Sequence, residues 1–235
     1  MANHLYQYSI LSALMNGICR EGTTVAKLLT HGDHGLGTIF GLNGEIIIVD
    51  KEVYHFLPDG NLREVEPTDI IPFAMITRFE PTSTKRPITL NMSTISKELS
   101  PLLPASQNSF LSIRVDALFT RVTFRVIPAQ SEARESLSEL AKRQELHHAT
   151  HSRGVLVGFW SPGFTSGFSV AGFHLHFLSD DRAQGGHVME FDAEDVVLRA
   201  AAINEYNVEF PASGEFQDEP IGEVLAKDLH AAEGQ

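Results

Sequence analysis

The sequence predicts a β-rich α/β fold in which strands form the framework and a few helices cover it. Between residues 37 and 61, short apolar runs alternate with turn residues, which is the pattern of a β-meander. Residues 172–177 alternate strictly between apolar and polar side chains, which indicates a strand with two different faces. Helical periodicity is limited to short segments that begin at good N-cap residues. The helices are therefore expected to cover sheets rather than form a bundle.

The composition is that of an ordinary globular protein, with 43% hydrophobic residues among 235. Thirty acidic residues outnumber 18 basic ones, the formal net charge is −12, and no lysine- or arginine-rich run occurs. A nucleic-acid partner and an anionic membrane surface are therefore disfavoured, and a small anionic substrate would need a locally positive site. The single Cys19 cannot form an internal disulfide, which is typical of a cytoplasmic protein.

The first 32 residues predict a short strand and two covering helices. Residues 9–19 are apolar, but no basic residue precedes them and no clear cleavage site follows, so a packed helix is expected there instead of a signal segment. No apolar run approaches the roughly 20 residues that span a bilayer. Thr23 or Thr24 can cap a second helix that carries Val25 on its apolar side and ends near Gly32.

The remaining elements follow from turn residues and alternation. Residues 110–126 predict a hairpin whose strands join around residues 117–119, and Ser131 can cap a helix that extends to about residue 146. The histidines at 147, 148 and 151 follow that helix and are expected in a loop or a subunit contact rather than at a metal. Further strands are expected at residues 154–160, 195–201 and 205–210.

Three histidines in the C-terminal part fall on one face of a predicted hairpin. His174 and His176 share a strand face opposite to the intervening apolar residues. Residues 178–186 are polar and end in Gly-Gly, which predicts a hairpin connection that brings His187 opposite His176. Because opposed Cβ atoms lie roughly 5 Å apart, three imidazoles could converge on one cation there.

Three histidine ligands leave a tetrahedral divalent metal with one open position, as in catalytic zinc sites. The spacing alone leaves another interpretation open, because two histidines on a strand also occur on the wet face of an exposed hairpin, with the third in a turn.

Several segments together resemble one family, the α-acetolactate decarboxylases. They follow the family's order, and the likeness extends from about residue 5 to the C-terminal tail. The matching segments are HGD at 31–33, GLGT at 35–38, LxGE at 42–45, GFHLHF at 172–177 and DDRxxGGHV at 180–188. A histidine pair alone is a weak signal, whereas this ordered set is specific.

The resemblance implies a zinc enzyme, usually a homodimer, that decarboxylates 2-acetolactate to acetoin and CO2 through a metal-stabilised enediolate. It also implies an N-terminal mixed β-sheet with covering helices over residues 1–129, which carries the active-site glutamate and arginine. Residues 130–235 would form a C-terminal β-domain that bears the three-histidine metal site, with a tail that reaches the active site.

The family's functional residues can be carried over position by position. Its metal ligands fall on His174, His176 and His187, and its catalytic residues fall on Glu45, Arg125 and Glu233. Thr38 and Arg125 match its substrate-binding positions. Motifs in the tail are loose, so Asp228 or Glu223 could take the place assigned to Glu233.

Two other functions remain open at this point. A cupin-like metal isomerase or dioxygenase would also carry two histidines on a strand; there Asp180 would complete the metal sphere and Glu45 would lie remote from it. A non-catalytic metal- or ligand-binding protein of the same fold would bind zinc without releasing CO2.

Overall fold

The computed structural model describes residues 2–212, 214–218 and 220–222. Strands dominate this part of the chain. They are β1 (His4–Tyr8), β2 (Thr23–Thr24), β3 (His34–Thr38), β4 (Glu45–Val49), β5 (Glu52–Phe56), β6 (Leu62–Arg63), β7 (Ile70–Ile71), β8 (Phe73–Thr77), β9 (Ser83–Lys85), β10 (Thr89–Asn91), β11 (Phe110–Val126), β12 (Glu145–Ser161), β13 (Gly172–Ser179), β14 (Gly185–Ile203) and β15 (Glu205–Glu209). The helices are α1 (Leu11–Met15), α2 (Val25–Leu28), α3 (Ile95–Glu98), α4 (Leu137–Ala141) and α5 (Gly214–Gln217). Among the described residues no helix has the length and apolar character that crossing a bilayer requires.

The first sheet has seven strands in the order β15-β1-β8-β3-β4-β5-β6. It is mixed, because β1 runs parallel to β15 and antiparallel to β8. The predicted meander is confirmed, since β3, β4 and β5 pair antiparallel. Asp50 and Lys51 form the tight turn between β4 and β5, and both have positive φ. This geometry matches the right-handed twist of a two-residue hairpin.

The helices α1 and α2 cover the first sheet as predicted. Thr24 caps α2 by accepting a hydrogen bond from the Lys27 amide at 3.2 Å, which satisfies one of the otherwise unpaired amides of the first turn. The buried Val25 and Leu28 of α2 pack with Ile46 and Ile48 of β4. The predicted β-rich fold with covering helices is therefore confirmed.

The second sheet has the strand order β10-β14-β11-β12-β13, and β9 also pairs with β14. Because β13 pairs in turn with β14, strands β11 to β14 close into a ring. A hydrophobic core that includes Phe119, Phe177 and Phe191 fills the ring. The division of the chain at residue 129 remains a prediction about domains; the second sheet includes β11 from before that residue, and the first includes β15 from after it.

The two sheets pack face to face, and β4 shows how alternation directs this packing. Ile47 and Val49 lie on its inner face and contact Val155 and Val157 of β12 and Leu178 of β13. The even-numbered isoleucines of β4 point to the opposite side, toward α2. Odd-numbered side chains of β4 therefore face the second sheet.

The predicted hairpin within residues 110–126 is wrong. This segment is the single long strand β11, which pairs with β12 on one side and β14 on the other. Residues 117–119 contain no glycine or asparagine to make a tight turn. Phe119 instead lies fully buried in the core of the ring. Burial of this aromatic side chain favours a continuous strand over a reversal at the same position.

The predicted helix from Ser131 to residue 146 is also wrong. Ser136, not Ser131, caps the five-residue α4, and β12 begins at Glu145. The histidine cluster therefore lies on a strand instead of a loop. His147 stacks on Phe124, and its Nε2 lies 3.0 Å from the carbonyl oxygen of Pro58. Pairing with β11 outweighs the local preference for a helix.

Candidate active site and metal centre

The three predicted metal ligands converge. His174 and His176 lie on β13 and His187 lies on β14, where it is the direct partner of His176. The centroids of the three rings are 5.1–5.4 Å apart. One ring nitrogen from each histidine lies within 4.8 Å of the others, and all three residues are buried. The hairpin geometry expected from the sequence is confirmed.

Alternation along β13 explains why the histidines meet on one face. Leu175 and Phe177 point into the core of the ring, whereas His174 and His176 point toward the first sheet. The turn before His187 does not include the two glycines that were predicted to end it, because Gly185 and Gly186 already belong to β14. The reversal is made by residues 180–184.

Hydrogen bonding orients His176 for coordination. Its Nδ1 lies 2.9 Å from the carbonyl oxygen of Ile46, which can only accept a hydrogen bond. Nδ1 therefore carries the proton, and Nε2 offers its lone pair to the cluster. A backbone acceptor of this kind fixes both the tautomer and the orientation of a metal-binding ring.

The cluster has the chemical properties of a cation site. The pKa of His176 is lowered to about 3, mainly by burial, with the hydrogen bond to Ile46 opposing this effect and the nearby charge of Arg125 adding to it. Burial, His176 and Arg125 hold the pKa of His174 well below its usual range. Both imidazoles are therefore neutral, which is the form that binds metals. The buried Nδ1 of His174 and Nε2 of His176 have no hydrogen-bond partner among the described residues. The three side chains thus fit a divalent metal with an open position.

Glu45 reaches the cluster from the other sheet. It is the first residue of β4, is only 7% exposed, and shares the inner strand face with Ile47. Its Oε2 lies 3.7 Å from Nε2 of His176. A carboxylate at this distance from a metal ligand is placed to exchange protons with a molecule bound in the open position.

The turn before β4 requires glycine. Gly44 has a φ of +98°, and a Cβ added there would lie 2.2 Å from the carbonyl oxygen of Phe56. Its amide donates to the carbonyl oxygen of Ile127, which directly follows β11. The turn that leads to Glu45 is therefore attached to the strand that carries Arg125.

Arg125 is buried at 2% exposure and lies directly opposite His187 on the neighbouring strand. A register shift in β11 brings it to the correct face. Ile113 and Phe119 point into the core of the ring at odd positions, whereas Val122 and Phe124 do so at even positions. The shift between Phe119 and Arg121 exchanges the two faces of the strand. Arg125 consequently points toward the histidines rather than into the apolar core.

One cavity joins the polar and apolar parts of the site. The polar wall contains the three histidines, Thr38, Glu45 and Arg125. The apolar wall contains Leu11 and Leu14 of α1, Leu42, Phe73, Ile127 and Leu137 of α4. The cavity therefore has a polar side, which carries the three imidazoles that could hold a metal, and a separate side suited to alkyl groups.

Comparison with known proteins agrees with this arrangement. A profile of the α-acetolactate decarboxylase family matches residues 5–223. The α-acetolactate decarboxylase of Methanosarcina mazei is 36% identical over 232 residues, which cover 97% of this chain and 80% of the relative. The α-acetolactate decarboxylase of Klebsiella aerogenes is 35% identical over 213 residues, which cover 90% of this chain and 82% of the relative.

A solved structure agrees as well. The crystal structure of α-acetolactate decarboxylase from Bacillus subtilis strain 168 superimposes with a TM-score of 0.93 at 31% identity, covering 99% of this chain and all of that one. The chain belongs to the α-acetolactate decarboxylase family. This membership confirms the resemblance found in the sequence and the expectation of an enzyme of the carboxy-lyase class.

The cupin-like alternative is not supported by the positions of its two diagnostic residues. Among the described residues, Asp180 is not part of the side-chain group that could hold a metal, and it lines a separate surface pocket with His148 and His151. Glu45, which that alternative places far away, adjoins His176. The geometry agrees instead with the arrangement expected of an α-acetolactate decarboxylase.

The other carried-over residues are placed as follows. Thr38 lies opposite Glu45 on the neighbouring strand, lines the cavity, and donates its hydroxyl hydrogen bond to the carbonyl oxygen of Gly44 at 2.8 Å. The predicted tail carboxylate, Glu233, and its alternatives Asp228 and Glu223 lie outside the described residues.

Two features of the site were not predicted from the sequence. Gln144 accepts a hydrogen bond from Nη1 of Arg125 at 3.1 Å. The leucines of α1 and α4 form much of the apolar wall. The apolar periodicity of both helices indicates that one face of each is buried. The sequence alone does not indicate that these faces line the cavity with the histidines.

Proposed function

We propose that this chain is a zinc-dependent decarboxylase that converts 2-acetolactate to acetoin and CO2. The observation that carries the proposal is one cavity that joins a buried three-histidine cluster, Arg125 and Glu45 in a member of the α-acetolactate decarboxylase family. Each part corresponds to a need of this reaction, and the apolar wall accounts for the remainder of the substrate.

The reaction needs a means of stabilising negative charge. Loss of CO2 breaks a carbon–carbon bond and leaves its electron pair on the substrate, delocalised as an enediolate. A Zn²⁺ ion held by His174, His176 and His187 would act as a Lewis acid that stabilises this charge on the ketone and hydroxyl oxygens. Zinc is preferred because three imidazoles with an open position are a typical catalytic zinc site.

Arg125 would hold the substrate carboxylate. Its guanidinium is always protonated and can bind a carboxylate through two parallel hydrogen bonds. It is buried and lines the same cavity as the histidines. In a chain with a formal net charge of −12, such a local positive group is what an anionic substrate requires.

Glu45 would deliver a proton to the carbon that has lost the carboxylate. Loss of CO2 from the 2-acetolactate anion leaves an enediolate with one negative charge, which keeps the substrate's own hydroxyl proton. Acetoin differs from it by the single proton on carbon, so the enzyme must supply that one. Because Glu45 is held by β4 on one side of the cavity, the proton would arrive on one face and give a single enantiomer. Glu233 is proposed as the second carboxylate of this exchange, with Thr38 beside the bound substrate.

The apolar wall would receive the two methyl groups of 2-acetolactate. Leu11, Leu14 and Leu137 come from helices that lie over the cavity, and all three are buried. Burial of alkyl groups contributes about 0.8 kcal/mol for each CH₂. The wall thus separates the alkyl groups from the charged groups on the opposite side.

The proposal includes a cytoplasmic homodimer. Cys19 is buried and unpaired, as suits a reducing compartment. Light scattering on the purified protein should give twice the 25.9 kDa mass of one chain.

The deciding experiment is an acetoin-formation assay with racemic 2-acetolactate, run before and after chelation and again after restoration of zinc. We expect turnover that disappears on chelation and returns with zinc. No turnover by the zinc-loaded protein would overturn the proposal, and zinc binding without CO2 release would identify a non-catalytic metal-binding protein. His176→Ala should lose metal and activity together.

A further inference from the structure

A side chain outside the cavity contacts the proposed carboxylate-binding residue. Gln144 lies between α4 and β12, is half-buried, and is not among the residues that line the cavity. Its Oε1 accepts a hydrogen bond from Nη1 of Arg125 at 3.1 Å. It therefore contacts the guanidinium without lining the cavity.

The backbone holds Gln144 in this position from two sides. Its amide donates to the carbonyl oxygen of Ala141 at the end of α4, at 3.4 Å. Two residues later, Leu146 is the direct partner of Arg125 in the pairing of β12 with β11. Gln144 is thus attached both to the helix that carries Leu137 of the apolar wall and to the strand beside Arg125.

The neutrality of this contact distinguishes it from the other arginine contacts of the second sheet. Arg114 donates to the carboxylates of Asp116 and Asp50, and Arg121 donates to that of Asp192. A carboxylate neutralises the positive charge that it binds, whereas an amide oxygen accepts the hydrogen bond and adds no charge. Whatever other groups Arg125 contacts, its bond to Gln144 does not lower its attraction for an anion.

We propose that Gln144 is a positioning residue that fixes the direction of the Arg125 guanidinium through a neutral hydrogen bond, so that the substrate carboxylate meets an oriented positive charge. The inference rests on the proposed function, because it takes Arg125 as the group that binds this carboxylate. An arginine side chain has several rotatable bonds, and fixing it before binding reduces the entropy lost when substrate binds.

Two substitutions separate orientation from charge. Gln144→Glu keeps the size and the acceptor but adds a negative charge, whereas Gln144→Met keeps the size and removes the acceptor. Gln107→Glu is the matched control, because it makes the same chemical change at an exposed residue that does not line the cavity. Thermal unfolding and zinc content identify any variant that is misfolded.

The decisive readout is ligand binding to the zinc-loaded protein by calorimetry. The anionic probe is 2,3-dihydroxy-2-methylbutanoate, the substrate with its ketone reduced, which cannot decarboxylate. The neutral probe is 2-methylbutane-2,3-diol, which lacks the carboxylate. We expect Gln144→Glu to weaken the anionic probe about tenfold or more and to change binding of the neutral probe less than about twofold. Gln144→Met should weaken the anionic probe about threefold to tenfold.

In turnover, Gln144→Glu should mainly raise KM for 2-acetolactate. Equal weakening of both probes would indicate a merely structural role and overturn the inference. So would unchanged binding in both variants, or failure of the unaltered protein to bind the anionic probe. Turnover by the unaltered protein decides the proposed function separately; if it is active and the Gln144 variants bind like it, only the present inference fails.

Discussion

Nε2 of His176 lies 3.7 Å from Oε2 of Glu45, and Nδ1 of the same ring lies 2.9 Å from the carbonyl oxygen of the next residue, Ile46. One strand of the first sheet therefore contacts both nitrogens of a histidine on the second sheet. The direction of the metal-binding nitrogen and the position of the carboxylate are set by the same few residues of β4, so a displacement of β4 would alter both together.

Glu45→Gln should keep the metal and lose turnover. The substitution preserves size and hydrogen bonding but removes the group proposed to deliver the proton, so we expect a loss of about 10²–10⁴ in kcat. Zinc content measured beside acetoin formation checks this. Loss of zinc in this variant would show instead that Glu45 is a ligand.

Gly185→Ala should push the two sheets apart. A Cβ at this position would lie 2.5 Å from Cε2 of Phe56 and 2.8 Å from the carbonyl oxygen of Phe177. We expect a loss of about 1–3 kcal/mol in the free energy of unfolding, together with weaker zinc binding. Urea denaturation and zinc titration measure these effects. Gly163→Ala is the control, because a Cβ there meets nothing within 4 Å; equal behaviour of the two variants would contradict the close packing of the sheets at β14.

Leu137→Ala should enlarge the apolar wall. The variant removes a buried cavity-lining side chain, so the ratio of kcat/KM for the substrate homologue with an ethyl group to that for 2-acetolactate should rise, on the order of threefold to tenfold. Leu140→Ala, on the same helix, removes a leucine that is buried but does not line the cavity.

Both leucine variants should lose about 2–5 kcal/mol in the free energy of unfolding. Only Leu137→Ala should change the ratio of kcat/KM between the two substrates. A similar change of the ratio in both variants would mean that general loosening of α4 is responsible.

His34 should make the protein less stable in acid. Its pKa is lowered to about 4 by burial, and next by the charge of Arg114. The unfolded chain, with a histidine pKa near 6.5, binds the proton first as the pH falls. The contribution of His34 to the free energy of unfolding is therefore complete above pH ~6.5 and is lost as the pH falls to ~4. The total loss is about 3 kcal/mol.

Urea denaturation of metal-free protein at several pH values measures this decline. His34→Gln should reduce the dependence of stability on pH between about 4 and 6.5, because it removes the group that titrates. His151→Gln is the matched control, because it makes the same substitution at an exposed position. An identical pH dependence in the unaltered protein and in His34→Gln would contradict the prediction.

The alternation of side chains along a strand was enough to predict the three-histidine cluster, because this alternation depends only on neighbouring residues. A side chain's face follows from its position along the strand, so the convergence of His174, His176 and His187 required only the correct hairpin. The face of Arg125 depends on the register shift between Phe119 and Arg121, which arises from pairing with a strand distant in sequence. Periodicity within residues 110–126 therefore could not give the face of Arg125, and only the resemblance to the family predicts this residue.

Other features depended on tertiary contacts that local patterns do not contain. Residues 145–150 have acceptable helix propensity, but β11 provides a strand partner for each of them. Gln144 had no distinguishing pattern, because a lone glutamine before a strand is common on surfaces. Its contact with Arg125 exists only once α4 and β11 have packed.

The pairing of β1 with β15 has a consequence for synthesis of the chain. It joins Leu5 to Tyr206 in parallel register, so β1 leaves the ribosome about 200 residues before the strand that pairs with it. The edge of the first sheet formed by β1 stays open until β15 is synthesised, and sequence-distant pairings of this kind are slow to form. Truncation before residue 205 would leave that edge exposed to other nascent chains, and aggregation of such fragments is the expected outcome.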